Sequence, residues 1–159
     1  MGESLKGSNV FRGINAVNMD AKGRLAVPAR YRERLQQESD QEVVLTIDTE
    51  MPCLLLYPST VWEIIERKIE ALPSFNPAAR RIQRLLIGHA TELELDTQGR
   101  ILVPTLLREY ASLNERVVLI GQGKKFELWS EDLWQTHRTK WLSEIAQGDL
   151  PPELSDLSL

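Results

Sequence analysis

The chain has 159 residues, a formal net charge of −4, and 42% hydrophobic against 26% charged residues, the balance of a soluble globular protein with one ordinary domain or two small ones. Its densest apolar run, Cys53–Tyr57, falls far short of the about 20 residues a membrane-spanning helix needs, and a single cysteine excludes an internal disulfide. The negative sum argues against a uniformly basic nucleic-acid binder, yet Arg12, Lys22, Arg24, Arg30, Arg32 and Arg34 face only Asp20 and Glu33 in one segment, leaving it at +4; such separation places a positive face on an acidic body.

In chain order, residues 1–9 lack the apolar stretch of a signal peptide and read as a disordered N-terminal extension, native or added. Gly13–Met19 reads as an imperfect strand. Asp20–Gly23 is a turn, with Asp suited to capping it and Gly to positive φ; three residues between Asp20 and Arg24 fit a hairpin loop with Gly in the left-handed position. Leu25 and Val27 alternate with Arg24 and Ala26, the period of a strand. Pro28 ends it and can open a helix, so Arg30–Gln37 is expected as a short basic helix with Tyr31 and Leu35 on one side.

Glu42–Asp48 is rich in β-branched residues and predicts a strand. A turn at Thr49–Pro52 leads to a second strand, Cys53–Tyr57, stopped by Pro58. Ser59 or Thr60 is expected to cap a helix with Glu63 as capping-box partner, its apolar face formed by Val61, Ile64, Ile65 and Ile69. Asn76-Pro77 starts a further helix to about Leu86, which carries Arg80, Arg81 and Arg84 as a solvated face or subunit contact.

After Gly88 the pattern restarts. Ala90–Asp96, Ile101–Val103, Arg116–Gly121 and Phe126–Trp129 read as strands, and a short helix carries Leu106, Leu107 and Tyr110. A helix over Glu131–Ala146 is expected to bury Leu133, Trp134, Trp141, Leu142 and Ile145, followed by a tail over 148–159. The restart is a repeat: Asp20-Ala21-Lys22-Gly23-Arg24-Leu25-Ala26-Val27-Pro28 returns 76 residues later as Asp96-Thr97-Gln98-Gly99-Arg100-Ile101-Leu102-Val103-Pro104. Leu54–Tyr57 and Trp62 return as Phe126–Trp129 and Trp134 at an offset of 72, so the first copy holds four extra residues between its short helix and last strand. Four short strands and a small helix cannot bury enough apolar surface alone. The two copies are therefore expected to complete one core about a pseudo-twofold axis. Fold class is α+β, a compact β-barrel built from two internal repeats with long helices packed outside; two separate mini-domains in a row are the alternative.

Phe11-Arg12-Gly13, the paired Asp-x-x-Gly-Arg-(Leu/Ile)-x-Val-Pro units, Cys53–Pro58 followed by Trp62-Glu63, Arg84–Ala90 and Phe126–Trp129 closely resemble the MraZ family from about Val10 onward. Each half resembles the swapped-hairpin domain of the AbrB and SpoVT regulators. The resemblance implies a pseudo-twofold swapped-hairpin AbrB-like barrel supplied by one chain. It divides the chain into residues 10–60 and 89–132 as repeats, 61–88 as connecting helices and 133–147 as a C-terminal helix. It also implies a transcriptional regulator that binds double-stranded DNA at repeated promoter sites of the division and cell-wall gene cluster, acts as a homo-oligomeric ring, and is cytoplasmic and nucleoid-associated.

The family's Asp-x-x-x-Arg pair falls on Asp20/Arg24 and Asp96/Arg100. Arg24 and Arg100 are the expected DNA contacts, because a guanidinium fork suits phosphate and guanine edges. Asp20 and Asp96 would orient them, and Gly23 and Gly99 would let the loops approach closely. Lys22, Arg12, Arg30, Arg32 and Arg108 are further DNA-contact candidates. Gln98 in place of Lys22 makes the second hairpin less basic. Some AbrB-like proteins carry a basic residue just before the Asp; here Val17-Asn18-Met19 leaves that role to Arg12 or the short helix.

The residues argue against an enzyme. His89 and His137 belong to no metal-ligand spacing, Cys53 has core-like neighbours, and no phosphate-cradling Gly loop is present. The expectation is no catalytic residue, no metal, no cofactor, no small-molecule substrate and no membrane. The reading from a different class is an antitoxin-like protein-interaction module on the same fold.

Overall fold

The computed structural model describes residues 10–148 and 150–157; the expected extension over residues 1–9 lies outside them. The first copy forms β1 (Phe11–Asn18), β2 (Arg24–Ala26), α1 (Ala29–Ser39), β3 (Glu42–Ile47), β4 (Leu54–Pro58) and α2 (Ser59–Glu70). A connecting helix, α3 (Pro77–Ile82), widens into a π-turn over Gln83–Ile87. The second copy forms β5 (Thr91–Glu94), β6 (Arg100–Leu102), α4 (Thr105–Tyr110), β7 (Arg116–Gly123), β8 (Phe126–Ser130) and α5 (Glu131–Ala146), with a 3-10 turn at Pro152–Asp156.

The strands interleave. One sheet has the order β1-β7-β8-β4-β3-β5 and a second is the ribbon β2-β6, all pairs antiparallel. Exchanging the two copies sends β1 to β5, β7 to β3 and β8 to β4, which returns the same order reversed. The exchange axis passes between β4 and β8, where Leu55 faces Glu127, flanked by Leu54 opposite Leu128 and Leu56 opposite Phe126. β1 pairs only with β7 and β5 only with β3, so neither outer strand is held by its own copy. Two mini-domains in a row are thereby excluded. The expected closed barrel is corrected as well: β1 and β5 end an open six-stranded sheet, and β2-β6 stands as a separate ribbon.

The register also places the four extra residues. Val17 pairs with Val117 and Leu93 with Val43, so the third strands are offset by 74. Two extra residues precede β3, where α1 runs longer than α4, and two lie in the β3–β4 loop.

The inner sheet face, the ribbon and the short helices share one core. Leu25, Val27, Leu35, Leu45, Leu54, Leu56, Ile101, Val103, Leu107, Leu119, Phe126 and Leu128 are all essentially inaccessible, each burial contributing about 1.5–3 kcal/mol. Phe11 and Tyr31 from the first copy pack on Phe126 from the second, with ring centroids 4.4 and 4.9 Å away. The outer face is covered in two pieces. Trp62 and Ile69 of α2 pack over Val44 and Tyr57, while Trp134 and Trp141 of α5 pack on Val118, Cys53 and Trp129.

Several helix expectations change. α2 begins at Ser59 directly after Pro58 with no side-chain cap, so the Glu63 capping box does not form; Pro58, which ends β4, turns the chain straight into the helix. Its buried positions are Trp62 and Ile69, whereas Ile64 is 54% exposed. Asn76 does cap α3, accepting from the N–H groups of Ala78 and Ala79. Beyond it the helix loosens, and Thr46 Oγ1 from β3 donates to the Leu86 carbonyl at 2.8 Å. α5 buries less than expected: Leu133, Trp134 and Trp141 are half-buried, and Leu142 and Ile145 are exposed.

Candidate nucleic-acid interface

Each Asp-x-x-Gly-Arg unit folds into the same tip. In the first, the Asp20 N–H donates to the Arg24 carbonyl at 2.9 Å and the Gly23 N–H to the Asp20 carbonyl at 3.0 Å, with Gly23 at φ +94°. This is the three-residue loop with a left-handed glycine that the spacing predicts. The Asp20 carboxylate then closes the loop: Oδ1 accepts from the N–H groups of Lys22 and Arg24, both at 2.9 Å, and Oδ2 accepts from Arg24 Nε at 2.8 Å. In the second tip Asp96 Oδ1 accepts from the Gln98 and Arg100 N–H groups and Oδ2 from Arg100 Nε, each at 2.9 Å, with Gly99 at φ +74°.

These bonds act on the acid as well as on the arginine. The backbone N–H of Arg24 is the largest influence on Asp20, joined by the Arg24 side chain and the Lys22 N–H, and together they hold its carboxyl down at about 2. Asp96 is lowered for the same reasons, with the Arg100 N–H first. A carboxylate that accepts several N–H bonds is stabilised in its charged form. Only Nε of each arginine is used; the terminal nitrogens of Arg24 and Arg100 make no hydrogen bond to protein among the described residues. The tip therefore aims a guanidinium whose outer edge is open, on a side chain about one-third exposed.

The ribbon sets the two tips side by side. Arg24 pairs with Leu102, Leu25 with Ile101 and Ala26 with Arg100. Leu25 and Ile101 point into the core, so Arg24, Ala26, Arg100 and Leu102 share the outer face. Leu102 is 52% exposed. It was missed as a site residue, although its alternation with Ile101 and Val103 marks it as outward-facing beside Arg100.

The remaining basic candidates divide into separate groups. Lys22 is exposed at the first tip. Arg12 lies eight residues before Asp20, about 26 Å away along an extended strand, and is exposed beside Gln122. Arg30 is tied to the same end of β1: Nη2 donates to Asn15 Oδ1 at 2.8 Å and to the Tyr31 hydroxyl at 2.9 Å, and that hydroxyl donates to the Arg12 carbonyl. Arg34 donates to the Val10 carbonyl and lies over the Phe11 ring. Arg12, Arg30 and Arg34 thus form a group apart from the tips. Arg32 and Arg108 are half-buried against the tips rather than beside them.

One cluster combines possible metal donors. Asp48, Cys53 and Glu127 place a ligand atom each within 4.8 Å of one another. The Cys53 thiol is fully buried and donates to Asp48 Oδ2 at 3.6 Å, while Glu127 accepts from Trp129 Nε1 at 2.9 Å. Burial first, and then the two carboxylates, push the thiol pKa up. That keeps it a packed, protonated thiol rather than the thiolate a metal requires.

The fold and these tips define a class: two interleaved copies of one β-rich unit presenting paired, aspartate-braced arginines on a shared ribbon. The chain matches the family described as "MraZ protein, putative antitoxin-like" over residues 10–85 and again over 86–147. It is 61% identical over 152 residues to the Transcriptional regulator MraZ of Coxiella burnetii (strain RSA 493 / Nine Mile phase I), covering 94% of this chain and 100% of that protein. It is 57% identical over 152 residues to the protein of that name from Legionella pneumophila (strain Paris), with the same coverage, and 54% identical over 149 residues to that of Hydrogenovibrio crunogenus, covering 94% and 98%. The chain belongs to the MraZ family, whose curated members here carry the name of transcriptional regulators rather than of enzymes.

Proposed function

We propose that the chain regulates transcription by binding double-stranded DNA through the β2-β6 ribbon, with Arg24 and Arg100 as the principal contacts and Lys22 reaching a phosphate. The observation that carries this reading is the pair of outward guanidinium groups, each fixed through Nε by its own aspartate with its outer edge open. A two-stranded ribbon fits the major groove, and an arginine so presented matches a guanine edge or a phosphate. The two repeats act as one swapped-hairpin unit, the architecture that the interleaved pairing supports. The basic group at Arg12 and Arg30 extends the positive surface away from the tips.

The regulator acts as a homo-oligomer, a ring by the family resemblance, on repeated promoter sites of the division and cell-wall gene cluster. Supporting this are exposed apolar residues on the outer helices and their connection, among them Ile64, Phe75, Leu142 and Ile145, with Phe75 at 88%. Several ribbons on one assembly would bind repeated sites with avidity and no new contact per site. Such a protein works in the cytoplasm at the nucleoid; no helix among the described residues is long and apolar enough to cross a membrane. Footprinting on the DNA upstream of the chain's own gene tests the reading: protection of regularly spaced repeats is expected, and no protection at any concentration would overturn it. The antitoxin-like description of the matched family supports a second reading, a protein-interaction module. A purified protein indifferent to DNA that arrives with a small basic partner would favour that alternative.

A further inference from the structure

Arg32 and Arg108 occupy equivalent places on α1 and α4, yet each packs against the tip of the other repeat. A Cβ on Gly99 would fall inside contact distance of the Nε, Cδ and Cζ atoms of Arg32. A Cβ on Gly23 would lie 2.8 Å from Arg108 Nε and 2.9 Å from its Cζ. The glycines are thus needed for close approach as well as for their positive φ.

The surrounding bonds form a crossed brace. Arg32 Nε donates to the Val27 carbonyl at 2.7 Å, and the Val27 N–H donates to the Gly99 carbonyl at 2.9 Å. One side chain of the first repeat therefore reaches the residue directly before Arg100. Reciprocally, the Val103 N–H donates to the Gly23 carbonyl at 2.8 Å, and Arg108 lies over Gly23, the residue before Arg24. The two braces differ in one detail: Arg108 Nη2 donates to Thr105 Oγ1 at 2.8 Å, and its Nε is buried without an acceptor.

We propose that Arg32 and Arg108 are positioning residues, each fixing the opposite repeat's tip and through it the DNA-contacting arginine: Arg32 sets Arg100, and Arg108 sets Arg24. The inference rests on the reading of the tips as DNA contacts. It assigns these two arginines a role opposite in its signature to phosphate contact. A phosphate contact contributes to the salt dependence of binding and is additive with distant contacts; a positioning residue is coupled to the one contact it places.

The test measures affinity for a duplex carrying the DNA upstream of the chain's own gene, at several salt concentrations, for Arg32→Met and Arg108→Met alone and combined with R24A or R100A. Arg108→Met is expected to weaken binding about tenfold, to add little to R24A and to multiply fully with R100A, the coupling typical of neighbours against that of separated sites. Arg32→Met is expected to show the mirror pattern. Salt slopes should match that of the wild type. The Lys variants are expected to bind as weakly as the Met variants, because lysine keeps the charge but loses the planar guanidinium, and with it the bond from Arg32 Nε to the Val27 carbonyl or the reach of Arg108 Nη2 to Thr105; they carry the test if a Met variant does not fold. Full multiplication with both contacts, or a slope reduced by about one for each Met variant and restored by Lys, would overturn positioning and leave DNA binding standing. Absence of wild-type binding would overturn the DNA reading and the positioning role with it.

Discussion

Leu25 of the first repeat and Ile101 of the second are direct partners at the midpoint of the ribbon, and exchange of the repeats swaps one for the other. Arg24 and Arg100 therefore stand at equal distances from the exchange axis, but with different neighbours: Arg24 faces Leu102, and Arg100 faces Ala26. Lys22 accompanies the first tip and Gln98 the second. The geometry is symmetric and the chemistry is not.

Arg24→Ala is accordingly expected to weaken specific DNA binding more than Arg100→Ala. Loss of one arginine contact to a base edge removes about 1–3 kcal/mol, roughly 10- to 100-fold in affinity. Both variants should sediment as the wild type does, since neither side chain is buried. Equal losses from the two substitutions would contradict the asymmetry, and unchanged affinity in both would contradict the site.

Gly99→Ala should destabilise the fold as well as the tip. Left-handed backbone at a non-glycine residue costs about 1–3 kcal/mol, and here the new methyl also meets Arg32. Thermal melting is expected to fall by several degrees, at roughly 2–4 °C per kcal/mol for a chain of this size. An unchanged melting temperature would show that Arg32 yields freely.

The tips should withstand mild acid. The Asp20 carboxyl sits at about 2, below its ordinary 3.8, so the folded tip disfavours the proton. Its contribution to stability is complete above about pH 4 and is lost as pH falls through 2. Carboxyl NMR titration should give a midpoint near 2 for Asp20 and a lowered one for Asp96. A midpoint at the ordinary value would mean that the Arg24 N–H bonds do not persist in solution.

Phe126→Ala removes a ring wedged between Phe11 and Tyr31, all three at 3% exposure or less. A cost of about 3–5 kcal/mol is expected. Because each outer strand pairs only with the other repeat, urea unfolding should remain a single transition. Tryptophan fluorescence and far-ultraviolet dichroism should coincide, both shifted to lower urea; two separated transitions would contradict the shared core.

Cys53 should ignore thiol reagents while the protein is folded. Burial and the neighbouring carboxylates keep it protonated, and the thiolate is the reactive form. Labelling by an aromatic disulfide at pH 8 is expected to follow the rate of unfolding, and rapid labelling of native protein would refute the buried placement.

Much of this fold was legible in the sequence, and the reason differs by element. The three-residue tips, with a left-handed glycine and an aspartate orienting its arginine, were readable, because Asp, Gly and Arg at fixed spacing leave a short loop few alternatives; the backbone N–H bonds to the carboxylate were not. Interleaving followed from the insufficiency of one copy. The open sheet was not readable, because strand order depends on pairings across some hundred residues that no local pattern encodes. The outer helices misled for a related cause: Ile64, Leu142 and Ile145 have the right period for a buried face, and period alone does not say whether another surface lies opposite. Arg32 and Arg108 look like ordinary members of a basic segment until the second repeat is folded against the first.

The pairing of β1 with β7 also sets a timetable for synthesis. Val17 meets Val117, so at about 5–20 residues per second the first strand leaves the ribosome roughly 5–20 seconds before its partner exists. During that interval Phe11 and the arginine-rich helix that follows must remain unpaired, in a chain still short of its second copy. The nascent first half is therefore exposed to mispairing with the same half of a neighbouring nascent chain, which offers the same edges one copy later. Joining both copies in one polypeptide puts an end point on that exposure: the correct partner always arrives on the same chain, within the time needed to make the second copy.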